Sequence, residues 1–345
     1  MFYVNAKSFA NKLLNRAEIK FKRTRLLSRP VDLTLEPTLE CNSNCIMCNR
    51  NFSRQEVKQA KGFLSWKTFD KVRPFFASAE RVLFGGFGEP LLHPDYLKML
   101  REIKKAGPYV HVFSNGILMK EAIGRSLVDE GMDMICISMG GATRETYRKI
   151  RGVDTFDIVT DNIRRVSEYK KSLGTDSPLL SFNIVAMRSL LVEMEAIVEL
   201  AHDIGVRHIA MPNLVAQGPA MEQESLWLCR DEALAVFTKA ANLATQYGIT
   251  FIPPNLNIEQ TQCNTLFNRL NINWDGTIMS CAMERYIIGN LSRQTIAEIW
   301  NGKGMRELRH NVIEKGFEST CPKCTCWDYN TENYLHPSSN SRAFA

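Results

Sequence analysis

Apolar and polar positions along this 345-residue chain follow two alternating rhythms. Short apolar, β-branched runs read as strands over Val31–Glu36, Arg81–Gly85, Tyr109–Phe113, Met132–Ser138, Leu179–Ala186 and Arg207–Met211. Between them, helical periodicity runs over Ser65–Phe76, Asp95–Lys105, Lys120–Asp129, Phe156–Tyr169 and Val192–Ile204. Six strand-then-helix units in succession imply parallel strands joined by right-handed crossovers. A closed barrel of this kind needs eight, so the expected fold class is α/β, a partial (β/α)6 TIM-like barrel. In such barrels chemistry collects at the C-terminal strand ends. The unusual residues fall there: Gly85-Gly86-Phe87-Gly88-Glu89-Pro90, Ser114-Asn115-Gly116, Ser138 with Gly140-Gly141, Ser181 with Asn183, and Pro212-Asn213. Plain loop composition also gives polar, Gly-rich tips, so position alone does not decide.

The pattern changes after about residue 215. Residues 31–215 are the expected barrel and 216–254 a helical connector, with Gln217–Tyr247 reading mainly as helix before Pro253-Pro254 breaks the chain. Residues 255–335 form a small cysteine-bearing module, and 336–345 a polar tail expected to be disordered. Within the module, Asn273-Trp274-Asp275-Gly276-Thr277 carries the Asp-Gly signal of a hairpin turn.

Charge singles out the first thirty residues. They hold eight Lys/Arg against Glu18 alone, a net +7, whereas the whole chain is +6. The basicity belongs to this arm and says nothing of the main body. Phe2, Ala6, Phe9, Leu13, Ala17 and Phe21 recur at near-helical spacing, flanked by Lys12, Arg16, Lys20 and Arg23. Two readings stand. The arm is a helix lying on an anionic membrane surface or holding an acidic substrate, or it docks on the barrel wall with its charges solvated. No aromatic-interleaved basic patch supports nucleic acid.

Hydrophobic content of 45% and charged content of 23% are ordinary for a globular chain. No apolar run is long enough to span a membrane, and the start lacks an apolar signal segment. Ten cysteines without an export signal point to thiolate or metal chemistry in a reducing compartment. The expected location is cytoplasmic, with a peripheral membrane contact as the variant.

The densest chemistry is Cys41-x3-Cys45-x2-Cys48, three thiols within eight residues. A structural zinc site closes with four ligands, and a fully protein-held cubane cluster uses four thiolates. Three thiolates on one short loop suit a cluster with one iron left open. The alternative is a zinc knuckle completed from elsewhere, although no histidine lies in the loop.

Taken together, the motifs resemble the radical S-adenosylmethionine (SAM) enzymes with a C-terminal SPASM/twitch auxiliary cluster domain. Cys41, Cys45 and Cys48, with apolar Met47 before the last, resemble the family signature. Gly86-Phe87-Gly88-Glu89-Pro90 is similar to its GGEP-type strand end, with Phe87 inserted. Ser138 and Arg151-Gly152 resemble the Ser…Arg pair that contacts SAM. Cys263-x12-Gly276-x4-Cys281, the Glu298-Ile299-Trp300-Asn301 helix and Cys321-x2-Cys324 resemble the SPASM/twitch pattern. The resemblance spans roughly residues 31–330.

The resemblance implies that Cys41, Cys45 and Cys48 hold a 4Fe–4S cluster whose open iron chelates SAM. One electron, from a donor such as flavodoxin or ferredoxin, then splits the sulfonium to a 5′-deoxyadenosyl radical that abstracts substrate hydrogen. It gives Glu89 the SAM ammonium, with Gly86 and Gly88 permitting close backbone approach; an ordinary turn closed by Pro90 is the plain alternative. It gives Ser138 the ribose and Arg151 the carboxylate, with Arg148 competing for the latter. Asn183 adds a ribose or adenine contact, and Ser114 and Asn115 join that shell or simply form a turn. The C-terminal region has five cysteines against about seven in a full SPASM domain, so one auxiliary 4Fe–4S cluster is expected on Cys263, Cys281, Cys321 and Cys324. Cys326 is an alternative ligand or a spare thiol, and zinc-ribbon spacing is the other reading.

The remaining reactive residues read as structural. Cys136 lies in a strand and Cys229 is isolated; Asp275 reads as a turn former; His93, His111, His202, His208, His310 and His336 show no ligand spacing. The expected substrate is a small molecule (sugar, nucleoside or lipid precursor), because a 30-residue arm is short for the leader-binding domain common in peptide-maturing relatives. A peptide or protein maturase is the runner-up. A non-catalytic zinc scaffold or nucleic-acid-binding protein is the rival from another class.

Overall fold

The computed structural model describes residues 5–52, 61–216, 218–256, 264–281 and 286–316. Ten strands lie among them: β1 (Asp32–Leu35), β2 (Arg81–Phe84), β3 (Tyr109–Ser114), β4 (Met134–Ser138), β5 (Leu179–Asn183), β6 (His208–Ala210), β7 (Thr250–Ile252), β8 (Arg269–Ile272), β9 (Thr277–Met279) and β10 (Ile287–Asn290). The chain divides into two compact units, one of Met1–Cys41, Ala60–Val112 and Thr261–Pro322, the other of Asn42–Gln59, Phe113–Gln260 and Lys323–Ala345. All six strands expected from the apolar runs are present, each within a few residues of its expected bounds.

In the first unit β1, β2 and β3 run parallel, Leu33 in register with Val82 and Val82 with Val110. The other edge of β1 pairs, also in parallel, with β8, to which β9 and then β10 add antiparallel. The segment assigned to the cysteine-bearing module thus contributes strands beside β1. Asp275 closes the hairpin between β8 and β9: its Oδ1 accepts the Thr277 N–H at 2.9 Å and Oδ2 the Thr277 hydroxyl at 2.9 Å. Helix Trp66–Phe76 starts at the Ser65 cap and buries Phe69, Val72 and Phe76. Helix Tyr96–Lys104 buries Tyr96, Met99, Leu100 and Ile103, one stripe at 3.6-residue spacing.

The starting residues of three strands form an ionic cluster. Asp32 accepts both Nε and Nη2 of Arg81 at 2.8 Å and lies 3.5 Å from Arg269. Burial, then Arg81 and Arg269, push the His111 imidazole down to about 4. His111 is therefore neutral in the fold and takes up its proton more readily when unfolded. Stability is full above the unfolded value of 6.5 and is lost as pH falls towards about 4. The expected loss is about 2 kcal/mol, read as a denaturant midpoint across that window, and His111→Gln should flatten it. A wild-type midpoint that rises on acidification would overturn this assignment.

The N-terminal helix Ala6–Lys20 docks with its polar side inward. Its buried residues are Ser8, Asn11, Asn15 and Glu18. Asn11 Nδ2 donates to the carbonyls of Arg29 and Ser78, and Asn15 Nδ2 to that of Phe267 at 2.6 Å. The Glu18 carboxylate accepts the N–H groups of Leu27 and Ser28. These polar side chains satisfy loop ends that would otherwise be buried without partners. Of the apolar stripe read from the sequence, Ala6, Phe9, Leu13, Ala17 and Phe21 therefore face outward, and Phe2 lies outside the described residues.

Arg309 ties the same unit together. It is fully buried, Nε donating to Leu266 O at 2.9 Å and Nη1 to Thr24 O at 3.1 Å, with its guanidinium 4.3 Å from the Trp300 ring centroid.

In the second unit β4, β5, β6 and β7 are parallel neighbours in that order. β7 comes from the stretch read as a connector. It follows helix Arg230–Gln246 and is only three residues long, too short to stand out beside Pro253-Pro254. Cys136 on β4 is buried, which pushes its thiol up to about 12 and leaves it inert at neutral pH.

Candidate active site

In the first unit the C-terminal ends of β1 and β2 are stitched together. Gly85 N–H donates to Leu35 O at 3.0 Å, and Phe87 N–H to Glu36 Oε1 at 2.8 Å. A Cβ on Gly86 would lie 2.4 Å from Glu36 Oε1, and one on Gly88 2.0 Å from Thr38 O. Both glycines are thus needed to bring the turn against the segment leading into Cys41. Glu89 N–H donates to Glu40 O at 2.7 Å, fixing that segment again. The Glu89 carboxylate is buried, and its Oε1 accepts the Leu91 N–H at 3.2 Å, capping the turn Pro90–Leu92. Glu36 was not singled out in the sequence. An acid directly after an apolar strand run was the available signal.

In the second unit the loop carrying Cys45 and Cys48 is held by the end of helix Arg144–Arg151. Asn44 N–H donates to Arg151 O at 3.1 Å and Ile46 N–H to Ile150 O at 3.0 Å. Gly152 makes this possible. It caps the helix at φ 69°, and a Cβ there would lie 2.2 Å from Asn44 O. Asn115 Nδ2 donates to Asn42 Oδ1 at 2.6 Å, while its Oδ1 accepts the Ile117 N–H and Ser114 Oγ accepts the Gly116 N–H. Ser114 and Asn115 are therefore turn formers, and Asn115 also tethers the cysteine loop.

Gly152→Ala is expected to lower iron loading after anaerobic reconstitution several-fold and stability by about 1–2 kcal/mol. Gly174→Ala is the control. Its φ is 65°, but nothing lies within 4 Å of the added carbon, so loading should stay normal. Equal loading in the two variants would contradict the cradle.

Ser138 ends β4 directly in register with Asn183 at the end of β5. Two residues after Ser138, a Cβ on Gly140 would lie 2.7 Å from Arg151 Cγ, so the arginine stem crosses the β4 tip. Arg151 is buried and its Nε has no partner, whereas Arg148 is exposed. Glu193 secures the start of this helix: its carboxylate accepts the Ala142 N–H at 2.7 Å and the hydroxyls of Thr143 and Thr146. The sequence offered no local signal for Glu193, which acts some fifty residues from its partners.

The other histidines and cysteines have structural surroundings. His93 Nε2 meets Leu64 O at 3.0 Å while Nδ1 accepts the Asp95 N–H, and burial lowers its pKa. His208 Nδ1 lies 2.7 Å from Ser181 Oγ, and burial lowers it as well. Burial, then Glu232, raise the Cys229 thiol.

The donor set and its support fit an iron–sulfur cluster with bound SAM. Cys41, Cys45 and Cys48 supply three thiols within eight residues, and the buried, unpartnered Nε of Arg151 suits a carboxylate. Among the described residues no three His, Cys, Asp or Glu side chains converge as metal ligands. Of the expected auxiliary ligands, Cys281 is a half-buried thiol. Cys263, Cys321, Cys324 and the alternative Cys326 lie outside the described residues, as does His336.

The radical SAM superfamily model matches residues 35–210, and that of the SPASM iron–sulfur cluster-binding domain matches residues 263–326. The chain belongs to the radical SAM superfamily. It is a radical SAM enzyme with a 4Fe–4S cluster, SAM and a C-terminal SPASM iron–sulfur domain, on an α/β partial-barrel fold. The cofactor-modifying protein of the tungsten-containing aldehyde ferredoxin oxidoreductase of Pyrococcus furiosus is 22% identical over 324 residues, 89% of this chain and 85% of that protein. A probable GTP 3',8-cyclase of Saccharolobus solfataricus is 26% identical over 306 residues, 84% of this chain and 93% of that protein. Among solved structures, native anSMEcpe with bound AdoMet superposes with a TM-score of 0.66 at 17% identity, covering 91% of this chain and 92% of that one. Streptococcus suis SuiB bound to the precursor peptide SuiA gives a TM-score of 0.63 at 14% identity, covering 86% and 70%. These likenesses show the fold.

Proposed function

We propose that this enzyme cleaves SAM reductively at Cys41, Cys45 and Cys48 and takes a hydrogen atom from a small molecule, with one auxiliary 4Fe–4S cluster for electron transfer. When bound, the cluster and SAM supply a 5′-deoxyadenosyl radical; the chain supplies position and exclusion of water. The observation that carries the reading is the buried Arg151 guanidinium, held over Gly140 with Nε unpartnered, on the same helix end that fixes the cysteine loop. Arg151 presents a charged donor to the methionine carboxylate, a task the exposed Arg148 is less suited to. Ser138 and Asn183, adjacent in register, offer a hydroxyl and a carboxamide to ribose or adenine. Glu89 offers a carboxylate to the ammonium, and Gly86 and Gly88 let backbone approach the ligand. Met47 adds an apolar contact beside Cys48, and Ser114 and Asn115 steady the shell.

A small-molecule substrate is supported by the named relatives that modify a cofactor or cyclise a nucleotide. A peptide is the second reading, favoured by the fold likeness to SuiB. The auxiliary cluster is assigned to Cys263, Cys281, Cys321 and Cys324. Anaerobic reconstitution should load about eight iron and eight sulfide per chain, and Cys324→Ala about four, with SAM still cleaved. Unchanged iron in Cys324→Ala would remove Cys324 from the ligand set. Zinc in place of iron would turn the whole reading to a scaffold.

A further inference from the structure

The N-terminal helix is amphipathic with the usual sides exchanged. Asn11, Asn15 and Glu18 are buried, while Phe9, Leu13 and Leu14 face outward at 53%, 49% and 40% exposure. The apolar surface continues past the helix end through Phe21 at 72% and Leu27 at 77%. Around it stand exposed Lys7, Arg16, Lys20, Lys22, Arg23 and Arg25. Glu18, the arm's only acid, is turned inside to hold Leu27 and Ser28, so no exposed carboxylate interrupts the cations among residues 5–30.

The cationic turn is built rather than loose. Lys22 N–H donates to Ile19 O and Arg23 N–H to Glu18 O, the paired bonds that close a helix C-terminus. Lys22 occupies the left-handed position at φ 52°, where glycine is the favoured residue. A lysine stands there against its backbone preference.

We propose that this arm docks the enzyme on an anionic phospholipid surface, with Phe9, Leu13, Leu14, Phe21 and Leu27 entering the headgroup–acyl boundary and the cations meeting lipid phosphates. A bilayer accepts both components at once. A second copy of the chain would set six cations against six with no acid between them. A nucleic-acid backbone would leave the five apolar side chains without a partner.

The test is flotation of reconstituted, full-length enzyme with phosphatidylcholine vesicles, with and without one-third phosphatidylglycerol. Binding is expected to the anionic vesicles only and to weaken with salt. Lys22→Gly suits the backbone and removes one charge, and should lower the partition coefficient about fivefold. Reversing three charges (Lys20→Glu, Lys22→Glu, Arg23→Glu) should lower it at least a hundredfold, and Leu13→Asp with Phe21→Asp should abolish it. All variants should keep wild-type SAM cleavage, which reports an intact fold. Absence of vesicle binding by the wild type, or binding indifferent to these changes, overturns the proposal. So does a stable dimer dissolved by Leu13→Asp, or retention on an oligonucleotide, without vesicle binding.

Discussion

Cys45→Ala is expected to reduce 5′-deoxyadenosine formation to background while leaving the fold intact. Two thiolates cannot hold a cubane that needs three protein ligands and one open iron. The fold should survive because backbone bonds anchor the loop, Asn44 N–H to Arg151 O and Ile46 N–H to Ile150 O, and these do not depend on the substituted side chain. The denaturant midpoint should therefore move by no more than about 1 kcal/mol. Cys136→Ala is the informative comparison. Its thiol is buried in β4 and pushed up to about 12, so its loss should leave SAM cleavage unchanged. Product from Cys45→Ala at the wild-type rate would remove this cysteine from the site.

The largest expected loss of stability is at Arg309. Burial lowers its pKa to about 9, so its charge is itself a cost, offset by Glu18, by the carbonyls of Leu266 and Thr24 and by Trp300. Removing the side chain leaves the buried Leu266 carbonyl and the part-buried Thr24 carbonyl without this donor and opens a void. Together these should cost about 3–5 kcal/mol in Arg309→Ala. Arg309→Met fills the space without the donors and should cost less than the alanine variant, which separates packing from hydrogen bonding. Arg309→Lys keeps a charge but not the planar fork, so it should recover only part of the loss. Chemical denaturation of the three variants reads this directly. An alanine variant as stable as wild type would contradict the bracing role.

β4 and β5 were legible because their three central positions are buried and mostly apolar, whereas burial alternates along β2 and β3. β1 is buried at all four positions and β5 at its three central ones. β7 and β8 were not legible, since three or four residues carry too little pattern and their place beside β6 and β1 depends on distant pairing. The N-terminal helix shows a different limit. Its periodicity was visible, but the inward face is chosen by carbonyls of Ser78, Arg29 and Phe267, which no local pattern announces. The same division runs through the site. Three cysteines within eight residues declare themselves locally. The difference between Arg148 and Arg151 appears only when Gly140 receives one of them. Glu36 and Glu193 act on glycine-rich turns about fifty residues away, beyond any motif's reach.

The most direct test is the electron paramagnetic resonance spectrum of the anaerobically reconstituted, chemically reduced protein before and after SAM is added. An iron corner free of protein ligands predicts a reduced cluster signal that changes on SAM addition, in wild type and in Cys324→Ala but not in Cys45→Ala. A protein holding zinc without iron, or a cluster signal indifferent to SAM, would contradict it.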